Sequence, residues 1–582
     1  MSLRSPDRPP IHYLYKSLHV RLTIRDWALL LSILLAGSGP CAEFGFGQVP
    51  QSEKQSNVVR GTVVNAATHE PIGRALVYSP DNRFATLTDG EGHFEFTLPK
   101  VVGENEAGPS SSEYARTPIW LMARKPGFLD DRGETGPGVI LPGKEVTIFL
   151  MPEGVIEGRV TFSATEPAHG LHVEIVSRQV TEGMPGWRPS GSASTNSNGE
   201  FRFSDLRPGS YKLLTHEWMD NDPVTATPDS QLYGFPPMYY PSATDFASAS
   251  TIQLVAGQTL QADLALIRQA YYAVRIPVVN TEPNGGMNIT VSPQGQRGPG
   301  YSLGYNPTRQ TIEGQLPNGK YLVEASVYGP NAASGSVNIA VAGASVNGPG
   351  MVLIRNNSIS VKVREQFTSN DGPRSGSWSD GRHTFALHGP RLDISVRADP
   401  LDEFGQRGSA SIRQPTGPND DSLVLENLAP GRYWLRLYPT RGYVASATMG
   451  GMDLLREPLV VVPGASTPID ITMRDDNAEL EGNLLGVPAN AASSTPRAHI
   501  YCIPLPDGPG QFLDLSASSD GRFDSRMVAP GAYRVVAFGS PQHDLPYRDS
   551  EAMKLYETKG QVVQFSPGQK VNLQLQIVSG SE

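Results

Sequence analysis

The phrase Pro208-Gly209-Ser210-Tyr211 returns as Pro430-Gly431-Arg432-Tyr433 and as Pro530-Gly531-Ala532-Tyr533, with a variant in Pro317-Asn318-Gly319-Lys320-Tyr321. Each copy opens a run rich in apolar residues. A phrase that comes back about every hundred residues marks tandem copies of one supersecondary module. It confines the chain to an array of small domains and lowers the odds of a single enzyme body.

Two further marks recur around that phrase. A strand-like run with an internal glycine opens each copy: Arg60-Gly61-Thr62-Val63, Glu157-Gly158-Arg159-Val160 and Glu481-Gly482-Asn483-Leu484. A tight turn into phenylalanines follows, as Asp89-Gly90-Glu91-Gly92-His93-Phe94-Glu95-Phe96, Asn198-Gly199-Glu200-Phe201-Arg202-Phe203 and Asp520-Gly521-Arg522-Phe523. Asp-Gly and Asn-Gly favour the positive φ of hairpin turns, and Phe at i and i+2 points to one face of a strand. A glycine and an alternating last strand close the copy, as in Gly143-Lys144-Glu145-Val146 and Gly568-Gln569-Lys570-Val571. The marks divide the chain into 56–152, 153–268, 269–355, 356–475 and 476–582, with the third and fourth units the most degenerate. Each is close to the size of a seven-strand β-sandwich.

Composition fits. The 60 glycines and 50 prolines of the 582 residues make the chain turn-rich, and only 18% of residues are charged. No long segment repeats at a helical period, so the expectation is an all-β tandem array of about five β-sandwiches.

Residues 1–55 differ. Arg4, Arg8, Lys16, Arg21 and Arg25 precede the apolar run 27–37 (WALLLSILLAG). As a helix it spans about 16 Å, short of a bilayer core of about 30 Å. A basic start, a short apolar core and small residues behind it read as a secretory signal. Residues 1–47 are taken as signal and leader, cleaved after Ser38 or Gly47, and 48–55 as a linker. An uncleaved amphipathic anchor is the alternative, and it alone would give membrane contact. Pro40 before Cys41 argues against lipidation. Residues 1–47 carry five basic and three acidic groups, so their removal moves the net charge from −10 to −12. So acidic a chain is a poor binder of nucleic acid. Cys502, in AHIYCIP, reads as a buried inert thiol, and two cysteines make neither a disulfide framework nor a zinc cluster.

Unit one, GTVVNAATHEPIGRALVYS with TLTDGEGHFEFTLP and MARKPGF, resembles a carboxypeptidase regulatory-like domain. Unit two does so through IEGRVT and TNSNGEFRFSDLRPGSYKL, and unit five through SSDGRF and VAPGAYRVVAF. The resemblance implies a transthyretin-like sandwich, grouped by fold with carbohydrate-binding-like modules, in a secreted bacterial protein. In metallocarboxypeptidases the zinc site lies in a separate catalytic domain. None of the eleven histidines here begins His-x-x-Glu.

Three patterns imitate active sites. His172 and Glu174 share a strand face that could seat a metal, but a third ligand is missing. Gly300-Tyr301-Ser302-Leu303-Gly304 fits the nucleophile-elbow spacing, but its flanks are not a buried strand and a helix. The Asp-Gly-Glu-Gly and Asn-Ser-Asn-Gly turns lack the oxygen ligands of a calcium loop. No cofactor and no catalytic residue is expected.

Aromatic residues mark the candidate binding region. Unit two gathers Trp187, Trp218, Tyr233, Phe235, Tyr239 and Tyr240, most of them in a long Pro-rich stretch, 216–245, that interrupts strand alternation. Aromatic faces stack on sugar rings, and loops at sandwich ends commonly carry binding. The same rings could instead pack the loop onto the sandwich edge. Two readings stand: a non-catalytic secreted or cell-surface binding protein, with carbohydrate or a cell-envelope protein as partner, and a structural spacer or interaction scaffold. An enzyme would need an unrecognised site.

Overall fold

The computed structural model describes residues 58–578, apart from 81–83, 98–120, 130–144, 163–165, 221–230, 280–285, 296–297, 299, 330, 369–374, 380, 402–407, 419, 486–497, 506–510, 519, 540 and 543. The leader, the linker and residues 98–120 of unit one lie outside them. The described chain is built from strands in tandem sandwiches. No described helix is long and apolar enough to cross a membrane.

One strand relationship recurs. Val58–Asn65 runs antiparallel to His93–Thr97 and parallel to Glu145–Pro152. Gly154–Thr161 does the same between Glu200–Leu206 and Thr259–Gln261, and Gln269–Val279 between Thr311–Pro317 and Met351–Val352. Asn357–Gln366 lies between Leu423–Leu428 and Ile469–Arg474. Ala478–Leu485 lies between Arg522–Val528 and Lys570–Val578. An opening strand parallel to the closing strand means that the chain enters a sandwich at one end and leaves at the other, where the next begins. The third and fourth sandwiches, degenerate in sequence, keep this pairing.

Each pair of sheets encloses its own apolar cluster. In the first, Val63, Val77 and Ile148 are fully excluded from water; in the fourth, Ile359, Leu425 and Ile469 are. Strand patterns such as the alternating burial of His93–Thr97 follow from the period of two.

The opening glycine and the first phenylalanine of the turn form one device. A Cβ on Gly61 would come within 2.5 Å of Phe94 Cζ, on Gly158 within 2.9 Å of Phe201 Cζ, and on Gly482 into the ring of Phe523. The tip of the ring occupies the space a Cβ would need, so the two marks recur together. In the turns themselves, Asp89 Oδ1 accepts from the amides of Glu91 and His93 at 3.0 and 2.8 Å, and Asn196 Oδ1 from Asn198 and Glu200 at 2.9 Å each. The positive φ falls on Gly92, Gly199 and Gly521. In the first sandwich this is the second glycine of the turn and not Gly90. The carboxylate and amide oxygens close the turns from inside.

The repeated phrase ends in a tyrosine corner. The hydroxyls of Tyr211, Tyr321, Tyr433 and Tyr533 donate to the carbonyls of Arg207, Pro317, Ala429 and Ala529 at 2.7, 3.0, 2.8 and 2.7 Å. Each ring is almost fully buried. The ring anchors in the core while the hydroxyl ties down the connection that precedes its strand.

Candidate functional site

The stretch 216–245 contributes strands to the domain that follows it. Trp218–Met219 pairs with Leu232–Phe235, which pairs antiparallel with Gln269–Val279 of the third sandwich. The aromatic segment therefore widens the third domain's sheet while its ends belong to the second.

The six aromatic candidates fall into separate clusters. Trp187 meets Phe246 edge-on at 5.7 Å, and Tyr239 packs beside them with 4% exposure. Buried Lys212 sits among them. Its Nζ lies 5.3 Å from the centre of Trp187 and 4.5 Å from that of Phe246, and donates to the Phe246 carbonyl at 2.7 Å. Phe235, 6% exposed, stacks on Phe162 at 4.4 Å, and Tyr240 packs on the second domain's core. Tyr233 lies under the Arg268 guanidinium at 4.1 Å, and Arg268 pairs with Asp220 at 2.8 Å. Of the six, only Trp218 ranks as exposed, at 36%.

A polar group that sequence reading passed over lies in the seam. Ser302 donates to Glu217 Oε1 from both its amide and its Oγ, at 2.7 Å each. The other carboxyl oxygen, Oε2, is buried and has no hydrogen-bond partner among the described residues. Burial pushes the Glu217 carboxyl above the usual range, against the opposing bonds from Ser302. The Glu217 amide donates to the Gly300 carbonyl at 3.0 Å. Nearby, the hydroxyl of Tyr271 is buried with no hydrogen-bond partner among the described residues, Tyr301 meets Tyr321 edge-on at 5.4 Å, and burial pushes Tyr301 up to about 12. The serine of the elbow-like pattern thus bonds a carboxylate on the neighbouring domain, from a loop that leads into strand Gly304–Asn306.

The strand face of His172 and Glu174 gains a neighbour, His216, invisible at a distance of forty residues. Its Nε2 lies 2.7 Å from Glu174 Oε2, and its ring meets that of His172 edge-on at 4.7 Å. Burial, then His216, lowers the His172 pKa. Among the described residues no group of three or more His, Cys, Asp or Glu could hold a metal ion.

A second joint was equally hidden. Strands His172–Thr181 and Met184–Ser194 form a long hairpin with Glu182 and Gly183 at its tip, both at positive φ as a two-residue turn of type I′ requires. Glu182 accepts from Arg436 Nη1 at 2.8 Å in the fourth domain and from the Tyr547 hydroxyl at 3.3 Å in the fifth. The Gly183 carbonyl accepts from the Arg548 amide at 3.0 Å, and a Cβ on Gly183 would lie 2.7 Å from the Tyr547 ring. Arg548 covers Trp434 at 4.5 Å, so the tip, the fourth and the fifth domains meet in one socket.

No family model matches the chain. No curated protein matches it either. Solved structures with which it shares similarity include the Streptococcal ancillary pilin, at 11% identity over 50% of this chain and 98% of the other, TM-score 0.17. The Bacillus anthracis TIE protein is similar at 8% identity over 73% of each chain, TM-score 0.14. The minor pilin of Streptococcus agalactiae is similar at 12% identity over 36% of this chain and 96% of the other, TM-score 0.17. At these scores the similarities carry no argument about function.

Proposed function

We propose that this chain is a non-catalytic surface scaffold, whose sandwiches are tied to one another so that they present fixed faces to partners of the cell envelope. One observation carries the reading: the segment richest in aromatic residues joins domains. It gives two strands to the next sandwich, and Phe235 and Tyr239 lie in cores. The hairpin tip at Glu182 and Gly183 supports it with contacts to two further domains. The basic and apolar start of the sequence supports export in this reading, by a cleaved signal or an uncleaved anchor. The likeness to carboxypeptidase regulatory-like domains rests on the glycine, phenylalanine and tyrosine marks. In this reading the marks are architectural, because fold alone does not set function.

The reading is tested by single-molecule energy transfer between dyes on cysteines placed at Ser194 and Glu551, both exposed, with Cys502 buried. A scaffold gives one narrow distribution that broadens in Gly183→Val. A broad distribution in the unmodified chain, unchanged by Gly183→Val, sinks the proposal.

A further inference from the structure

Between the third and fourth domains lies a cavity of about 670 Å³, inside the range of about 300–1,000 Å³ typical of ligand sites. Its floor is the outer face of a third-domain sheet. In one row Asn288 stands opposite Ser326, and Ser326 opposite Ser334; in the next, Thr290 stands opposite Glu324, and Glu324 opposite Ser336. All six line the cavity, with Tyr328 and Ile354 beside them at 61% and 50% exposure. The fourth domain closes the other side with Ala429 and Pro430.

The cavity is pre-shaped by its hinge. A single residue, Asn356, separates Ile354–Arg355 of one domain from Asn357–Gln366 of the next. Ser334 Oγ donates to Asn356 Oδ1 at 2.8 Å, and Asn356 Nδ2 donates to the Asn427 carbonyl at 3.4 Å. Asn357, 7% exposed, donates to the carbonyls of Leu428 and Val462 at 3.4 and 3.1 Å. A hinge bonded on both sides avoids part of the ordering cost of binding.

We infer that this groove binds a neutral oligosaccharide. The lining selects for one. Rows of hydroxyls and an amide present donors and acceptors at strand spacing, able to bond successive hydroxyls along a sugar chain. The exposed Tyr328 ring supplies a face for axial C–H groups. Among the described residues the lining carries one charged group, the acid Glu324, and no cation to pair with phosphate, sulfate or uronate ligands. This inference goes beyond the scaffold reading and stands apart from it, since a scaffold with fixed domains need bind no sugar.

The test is a screen of the full chain against an array of neutral oligosaccharides that includes cellohexaose, maltohexaose, xylohexaose and chitotetraose, with titration calorimetry on each hit. Ser336 is exposed on the floor, so Ser336→Trp fills the groove without removing a core contact. Binding at least about tenfold weaker in both Tyr328→Ala and Ser336→Trp, with melting temperature and the response to Trp218→Ala unchanged, supports the groove. No binding to any neutral oligosaccharide at millimolar concentration overturns it. So does binding that Ser336→Trp leaves intact, or displacement of the sugar by an extended peptide of higher affinity.

Discussion

The hydroxyl of Tyr533 donates to the carbonyl of Ala529, four residues earlier, at 2.7 Å. It also accepts from the Gln511 amide at 2.8 Å, so one buried oxygen ties two loops of the fifth domain. Among the described residues Tyr211 makes only the first kind of bond, to Arg207 at 2.7 Å. Phe in place of either tyrosine keeps the ring in the core. Tyr211→Phe should therefore cost about 1 kcal/mol and Tyr533→Phe roughly 2 kcal/mol, each local to its own sandwich. Hydrogen exchange of strands Gly209–Thr215 and Gly531–Phe538 measures the two losses separately. Equal effects would show that the second bond of Tyr533 is idle.

Gly482 and Phe523 test the paired marks. A Cβ on Gly482 enters the Phe523 ring and lies 2.5 Å from the Leu573 carbonyl. Gly482→Ala should destabilise the fifth domain by about 1–3 kcal/mol, as overpacking does. Adding Phe523→Leu should restore part of the loss and not all, because the carbonyl remains in the way. Calorimetry of the single and double variants decides the matter, and full recovery would place the whole strain in the ring.

Glu217 gives a pH dependence. Burial raises its folded pKa above the unfolded value, so the folded chain holds the proton more tightly. Stability from this group is therefore greatest below the unfolded pKa and falls as pH rises from the ordinary carboxylate range through the raised folded value. Glu217→Gln keeps an acceptor for Ser302 and removes the charge. Its melting temperature should exceed that of the parent at pH 7.5 and match it near pH 4, and an unchanged difference across that range would contradict the assignment.

Cys502 lies at 0% exposure in the fifth domain's core, and burial raises its thiol to about 12. Iodoacetamide at pH 8 should leave it unmodified in the folded chain and label it fully in guanidinium, read by peptide mass mapping. Labelling under native conditions would mean that the fifth core opens readily.

At the socket, Glu182→Ala removes one half-buried ion pair and one tyrosine bond, and leaves Arg436 its second partner Asp399, whereas Gly183→Val puts a side chain into Tyr547 at a left-handed φ of 76°. The alanine change should cost about 1 kcal/mol or less and the valine change more, because a β-branched residue cannot adopt that φ without strain. Protease cleavage rates at the 172–194 hairpin compare the two.

Much of each sandwich was legible in the sequence because its signals are short-range. Gly61 with Phe94, the turn ending in Gly199, and Tyr433 after Pro430-Gly431 each reflect a local steric or hydrogen-bonding need that only certain residues meet. Such needs repeat whenever the module repeats. The elbow-like serine and the face shared by His172 and Glu174 were legible only as patterns, since their partners Glu217 and His216 stand far off in the chain.

Tertiary structure alone decided how the modules meet. Nothing local in Leu232–Phe235 says that it will pair with Gln269–Val279, and nothing in Glu182 points to Arg436, 254 residues away. An all-β array punctuated by glycine turns and a recurring Pro-Gly-x-Tyr phrase was readable from neighbouring residues, because turn geometry and strand alternation are local; the hydrogen bonds that make those tyrosines corners came from the fold. The partners of its aromatic rings, the joints and the groove depend on which surfaces come together, and only the packed chain specifies that.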